Sequence, residues 1–175
     1  MTNQAGREES MSSTKTTESA RGVARAGKIR ALRILSMSIL ALLFVQFLLG
    51  MWTNLFAAFP ESSPSVNPLD QVFIQGPYVL AAHIITGIAL GIVSISIIVL
   101  SALARNKRAV VLACAGLGSI LLAGESGIEF VLGWYGNDAL SFSMAFGFVL
   151  SFVIYFAALS LFPSFAKREK MNTTN

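Results

Sequence analysis

Charged residues divide this chain into long apolar stretches. Residues 34–60, 71–104 and 139–166 contain no Asp, Glu, Lys or Arg, and each exceeds the ~20 residues that an α-helix needs to cross a bilayer. Another apolar stretch follows Arg108 and is interrupted only by Glu125 and Glu129 before Trp134. Its charge-free part, 109–124, is too short to span, so the helix there either includes both glutamates or is not a full crossing. Apolar length and charge punctuation predict spanning helices over 34–58, 77–103, 110–132 and 139–162.

The first residues read differently. They are polar and rich in Ser and Thr, with almost no large apolar side chain before Ile29, so they bury too little surface to offset the entropy of ordering. The organisation expected is a disordered tail over 1–28, a four-span domain over 29–166 and a second tail over 167–175. Arg21, Arg25, Lys28, Arg30 and Arg33 beside small residues have the composition of a transit peptide, but Glu8, Glu9 and Glu18 weigh for a plain tail. A cleaved signal is not expected, because its core of about 7–15 apolar residues would be shorter and earlier.

Composition supports the same class. Of 175 residues, 54% are hydrophobic and 13% charged, against roughly 45–50% and 25% in soluble domains. One Cys excludes a disulfide framework, and one His excludes a multi-histidine metal cage within one chain. No phosphate-cradling glycine loop and no nucleophile elbow is present.

All 13 Lys and Arg fall in the N-terminal segment up to Arg33, in 105–108 or in 167–170, and none in 60–76 or 133–138. The positive-inside rule then predicts a multi-pass protein of the plasma membrane with both termini cytoplasmic. Trp52, Tyr78, Trp134 and Tyr135 lie near the expected outer helix ends, where amphipathic rings anchor. The net charge of +4 reads as topology and attraction to anionic lipid, with no nucleic acid partner. The fold class expected is all-α, an integral membrane four-helix bundle.

Each span carries a polar or small-residue stripe. In the second, His83, Gly87, Gly91 and Ser94 share a face, and Gly87 and Gly91 form the small-xxx-small pattern that allows close helix packing. The third offers Cys114, Gly118, Leu122, Glu125 and Glu129; the fourth Met144, Gly147, Ser151 and Tyr155; the first Gln46, Gly50, Thr53 and Asn54. Four such stripes suggest a bundle with a polar seam. At 1.5 Å per residue, His83 sits roughly 9 Å below the outer boundary, between Glu129 at roughly 7 Å and Glu125 at roughly 13 Å. His83, Glu125, Glu129 and Asn54 thus form a candidate intramembrane polar site, since ionisable groups at such depth are costly and are usually paired. Met144 stands at nearly the depth of His83, so the two are candidate axial ligands of a haem b. The outer loop, with Pro60, Pro64 and Pro68, is long enough to cover the outer mouth of the bundle, and Asp70 and Gln75 extend the site.

The run from Gln46 to Thr53, a Pro-containing loop, and then His83-Ile84-Ile85-Thr86-Gly87 resemble one four-helix half of the haem A synthase family, over about a third of the chain. In that family each half carries haem-ligating histidines on its second and fourth helices. The resemblance implies a haem-ligand role for His83, with Met144 standing where the fourth helix would carry its histidine.

Three functions remain open at this point. The first is a haem-associated or redox-associated subunit using His83, not an enzyme on its own. The second is a small oligomeric transport or proton-relay protein using Glu125, Glu129 and His83. The third is a scaffold or accessory subunit that binds other membrane subunits, or a second copy, through its glycine faces.

Overall fold

The computed structural model describes residues 5–56, 67–74 and 76–160, with side chains from residue 26 onward except residue 69. Residues 57–66, with Pro60 and Pro64 of the expected outer loop, Gln75 and the C-terminal tail lie outside the described residues. Five helices run in order: α1 (Ala5–Phe56), α2 (Pro68–Ile74), α3 (Tyr78–Leu103), α4 (Lys107–Leu132) and α5 (Asp138–Ser160). No strand occurs among the described residues. Four of the helices, over Ala26–Phe56, Tyr78–Leu103, Lys107–Leu132 and Asp138–Ser160, are long and apolar enough to cross a membrane. The bounds of the last three fall within three residues of those expected, the first begins eight residues earlier, at Ala26, and the third includes both glutamates.

The N-terminal segment, expected as a tail, is helical from Ala5 and continuous with the first span. The reason lies in helix cooperativity. Once the apolar span has formed, each residue added at its N-terminus gains a hydrogen bond without a new nucleation cost, and no proline interrupts 5–33.

The four long helices pack as a closed ring, α1 beside α3, α3 beside α4, α4 beside α5 and α5 beside α1. The backbones of the diagonal pairs, α1 with α4 and α3 with α5, do not approach within 8 Å. The bundle is built with its small residues inside: Ser36, Ser94, Ser101, Ser119, Ser126, Ser151, Ala109, Ala113 and Ala158 are buried, while Phe44, Leu55, Ile88, Ile92, Val111, Phe142 and Phe156 are exposed. This is the distribution expected where lipid already satisfies apolar surface and close packing holds helices together.

Tyr155 shows how that packing works. Its side chain, fully buried, leaves α5, hydrogen-bonds Ser94 on α3 across the diagonal at 2.5 Å, and donates to the Ala113 carbonyl on α4 at 3.4 Å. Gly116 makes the space, since a Cβ there would stand 2.6 Å from the ring. The backbones of α4 and α5 approach closely at Gly147, where a Cβ would meet the Ser119 carbonyl at 2.8 Å. Ser126 adds a hydroxyl bond to Ser143 at 2.8 Å. The expected close approach at Gly91 does not occur, because the space beside it is open.

Connections set the two ends. The α3–α4 turn places Arg105 at φ 53, with Arg105 N–H donating to Ala102 and Asn106 N–H to Ser101, a helix-terminating motif that usually employs glycine. A side chain in that left-handed conformation costs about 1–2 kcal/mol. The Asn106 side chain then caps α4 by accepting from the Ala109 amide at 3.2 Å. Lys28 donates to the Leu103 carbonyl at 3.2 Å, tying α1 to the end of α3. At the opposite end α2 seats Val72 against Leu80 and Val131, with Tyr135 packed alongside. Burial pushes the Tyr135 hydroxyl above its ordinary pKa.

Candidate functional site

The polar residues of α1 and α3 meet in a reciprocal arrangement. Gln46 lies four residues before Gly50 on α1, and His83 four residues before Gly87 on α3, so each polar side chain and its glycine share one face of their helix. The helices are antiparallel, and the His83 ring therefore covers Gly50 while the Gln46 amide covers Gly87. A Cβ at Gly50 would stand 3.1 Å from His83 Cε1, and one at Gly87 would stand 3.5 Å from the Gln46 amide nitrogen. That nitrogen and His83 Nε2 are 3.1 Å apart. With the amide donating to Nε2, the imidazole proton resides on Nδ1. His83 Nδ1 and Gln46 Oε1 are buried without a hydrogen-bond partner among the described residues.

Other members of the expected site lie elsewhere. Met144 seats its sulfur on Gly127 of α4, 3.2 Å from where a Cβ would be, so it occupies the α4/α5 interface while His83 occupies the α1/α3 interface. A haem bound by this pair would need both side chains turned to a common space, and His83 Nε2 already faces Gln46. The residues present do not fit a haem between His83 and Met144.

Glu125 and Glu129 belong to the opposite face of their helix. The inward side of α4 is Ala109, Ala113, Gly116, Ser119 and Ser126. Cys114, Gly118, Leu122, Glu125 and Glu129 are all exposed and line the outward side. Neither glutamate makes a hydrogen bond or ion pair with any described residue. By residue count from Leu132, Glu129 lies about 4–5 Å and Glu125 about 10 Å inside the helix end. Asn54 is likewise exposed, near the end of α1, while Thr53 beside it is buried and donates to the Leu49 carbonyl at 2.8 Å. The structure thus brings His83 to Gln46 and leaves Glu125, Glu129 and Asn54 on the periphery.

Sequence reasoning placed Gln46 on the seam of the first span but missed it as the partner of His83. The signal was available in the repeated polar-xxx-Gly spacing of two consecutive spans.

Together these features describe an all-helical protein whose four long apolar helices have the build of a multi-pass membrane protein. Comparison with family models, with curated proteins and with solved structures finds no match to this chain. A function must therefore be read from the geometry of the bundle.

Proposed function

We propose that the chain is an accessory subunit of a membrane assembly, docked through the outward face of α4 onto a helix of another membrane protein that carries a lysine or arginine at the depth of Glu125. The observation behind this reading is the exposure of Glu125 and Glu129 within a spanning helix, with no partner among the described residues. A carboxylate at such depth is expensive in hydrocarbon and is normally matched by a partner group. This chain has no Lys or Arg near that depth, since all 13 lie in the N-terminal segment, in 105–108 or in 167–170. A second copy would therefore set acid against acid, and charge complementarity selects a different protein. Cys114 and Gly118, small and exposed on the same stripe, would let the partner backbone come close. On this reading, which the positive-inside bias supports, both termini of a plasma-membrane protein face the cytoplasm and the glutamate end of the docking face lies in the outer half of the bilayer.

The interior favours neither of the other readings. His83 is occupied by Gln46 and Gly50, and the carboxylates that a proton relay would use face away from it.

The test uses the single cysteine as a reporter. The full chain, labelled with a fluorophore at Cys114, is co-reconstituted with acceptor-labelled Leu-rich spanning peptides carrying one Lys or one Gln in the outer third. Energy transfer to the Lys peptide alone, abolished by Glu125→Gln with Glu129→Gln, is the expected result. Equal transfer to both peptides, or disulfide-linked dimers formed through Cys114 by the unlabelled chain in the presence of the Lys peptide, would overturn it.

A further inference from the structure

The basic end of the bundle contains a groove that the docking face does not use. It lies where α1 passes the α3–α4 turn, has a volume of about 390 Å3, and is lined by Ile29 and Leu32 on one side and by Arg105, Asn106, Lys107 and Arg108 on the other. Both walls come from carboxylate-free sequence: no Asp or Glu occurs in 19–60 or in 71–124. Arg105, Lys107 and Arg108 are exposed and make no ion pair with any described residue. Lys28 is different, since its ammonium is engaged by the Leu103 carbonyl.

Two further features give the groove a chemical preference. The N–H groups of Lys107 and Arg108 open α4 and have no acceptor among the described residues, because the Asn106 side chain satisfies Ala109 and its carbonyl satisfies Val110. Free first-turn amides beside cations suit an oxyanion. On the other flank of the same turn a second groove of about 360 Å3 is walled by Ala102, Val110 and Val111, an apolar track running from the charged turn onto the spanning surface. A soluble anion would have no use for it.

We propose that this turn is a binding site for an anionic phospholipid. The phosphate is held by Arg105, Lys107, Arg108 and the first amides of α4, and an acyl chain lies against Ala102, Val110 and Val111. Basic pockets between spanning helices recognise acidic headgroups by this combination of charge and adjoining apolar surface. The position of Arg105 agrees with it, since glycine would be the easier residue at φ 53 and arginine supplies a cation there.

The test is native mass spectrometry of the full chain released from detergent with an equimolar mixture of phosphatidylglycerol and phosphatidylcholine of identical acyl composition. Wild-type protein is expected to retain phosphatidylglycerol selectively. Lys107→Gln with Arg108→Gln should lower that retention about tenfold or more, while Lys167→Gln, Arg168→Gln and Lys170→Gln together, which remove as much or more charge, should leave it within about twofold. Arg105→Gly separates binding from folding, because it should raise the unfolding temperature and still lower retention. Equal retention in all variants, or equal loss in the C-terminal variant, would overturn the site. Displacement of the lipid by glycerol 3-phosphate at matched concentration would overturn the lipid as its occupant.

Discussion

Gln46 and His83 bond across the α1/α3 interface at 3.1 Å, each lying over the glycine that the other's helix presents, Gly87 beneath Gln46 and Gly50 beneath His83. The hydrogen bond depends most on the notch at Gly50, where a Cβ would stand 3.1 Å from the His83 ring, while a Cβ at Gly87 would make ordinary contact with the Gln46 amide at 3.5 Å.

The first prediction follows from that dependence. His83→Leu leaves the Gln46 amide without its partner in an apolar interface and should cost about 1–2 kcal/mol. Adding Gln46→Leu should restore part of the loss. A double-mutant cycle, followed by thermal unfolding in detergent, should give a coupling of about 0.6–1.7 kcal/mol. A coupling indistinguishable from zero would show that the pair does not hold the helices together.

Glycines should divide by what they face. Gly147→Ala drives a Cβ to 2.8 Å from the Ser119 carbonyl and 3.0 Å from Ala123, so α4 and α5 must separate at a cost of about 1–3 kcal/mol. Gly91→Ala meets open space and should be neutral or stabilising by up to about 1 kcal/mol, the helix-propensity difference. Side-by-side unfolding temperatures of the two variants decide this.

Tyr155 should be coupled to Gly116. Gly116→Ala places a Cβ 2.6 Å from the ring and should destabilise by about 1–3 kcal/mol. Tyr155→Phe should cost about 1 kcal/mol by leaving Ser94 without its bond, and it should not relieve the clash at residue 116. Relief is expected only from a smaller side chain such as Tyr155→Leu, read as a non-additive gain in the double variant.

Glu125→Leu with Glu129→Leu should leave the stability of the isolated chain within about 0.5 kcal/mol of wild type, since surface substitutions without contacts change little. The same variant should lose association with a Lys-bearing helix. A large loss of stability in the monomer would mean that the glutamates bond within the chain and would remove the basis of the docking face.

How much of this was legible in the sequence differs from helix to helix. The spans were legible because length, apolarity and charge punctuation are properties of a segment alone. The interior stripes of the second and fourth spans were also legible, since Ser94, Gly147, Ser151 and Tyr155 are all buried. The third span was not, because α4 carries small and polar residues on two sides. Cys114, Gly118, Glu125 and Glu129 make one stripe, and Ala113, Gly116, Ser119 and Ser126 the other. Periodicity finds both and cannot rank them.

The sequence by itself thus determined an all-helical chain with four membrane-length helices, and where its cations and carboxylates fall along them, because the bilayer selects on local length and apolarity. Only the tertiary structure decided that His83 meets Gln46, that Met144 packs on Gly127, and that Glu125 and Glu129 face outward. Those outcomes depend on the ring order of the helices and on their rotation. Both are set by what small residues let in, the His83 ring at Gly50, the Tyr155 ring at Gly116 and the α4 backbone at Gly147, a property of pairs of helices that no single segment contains.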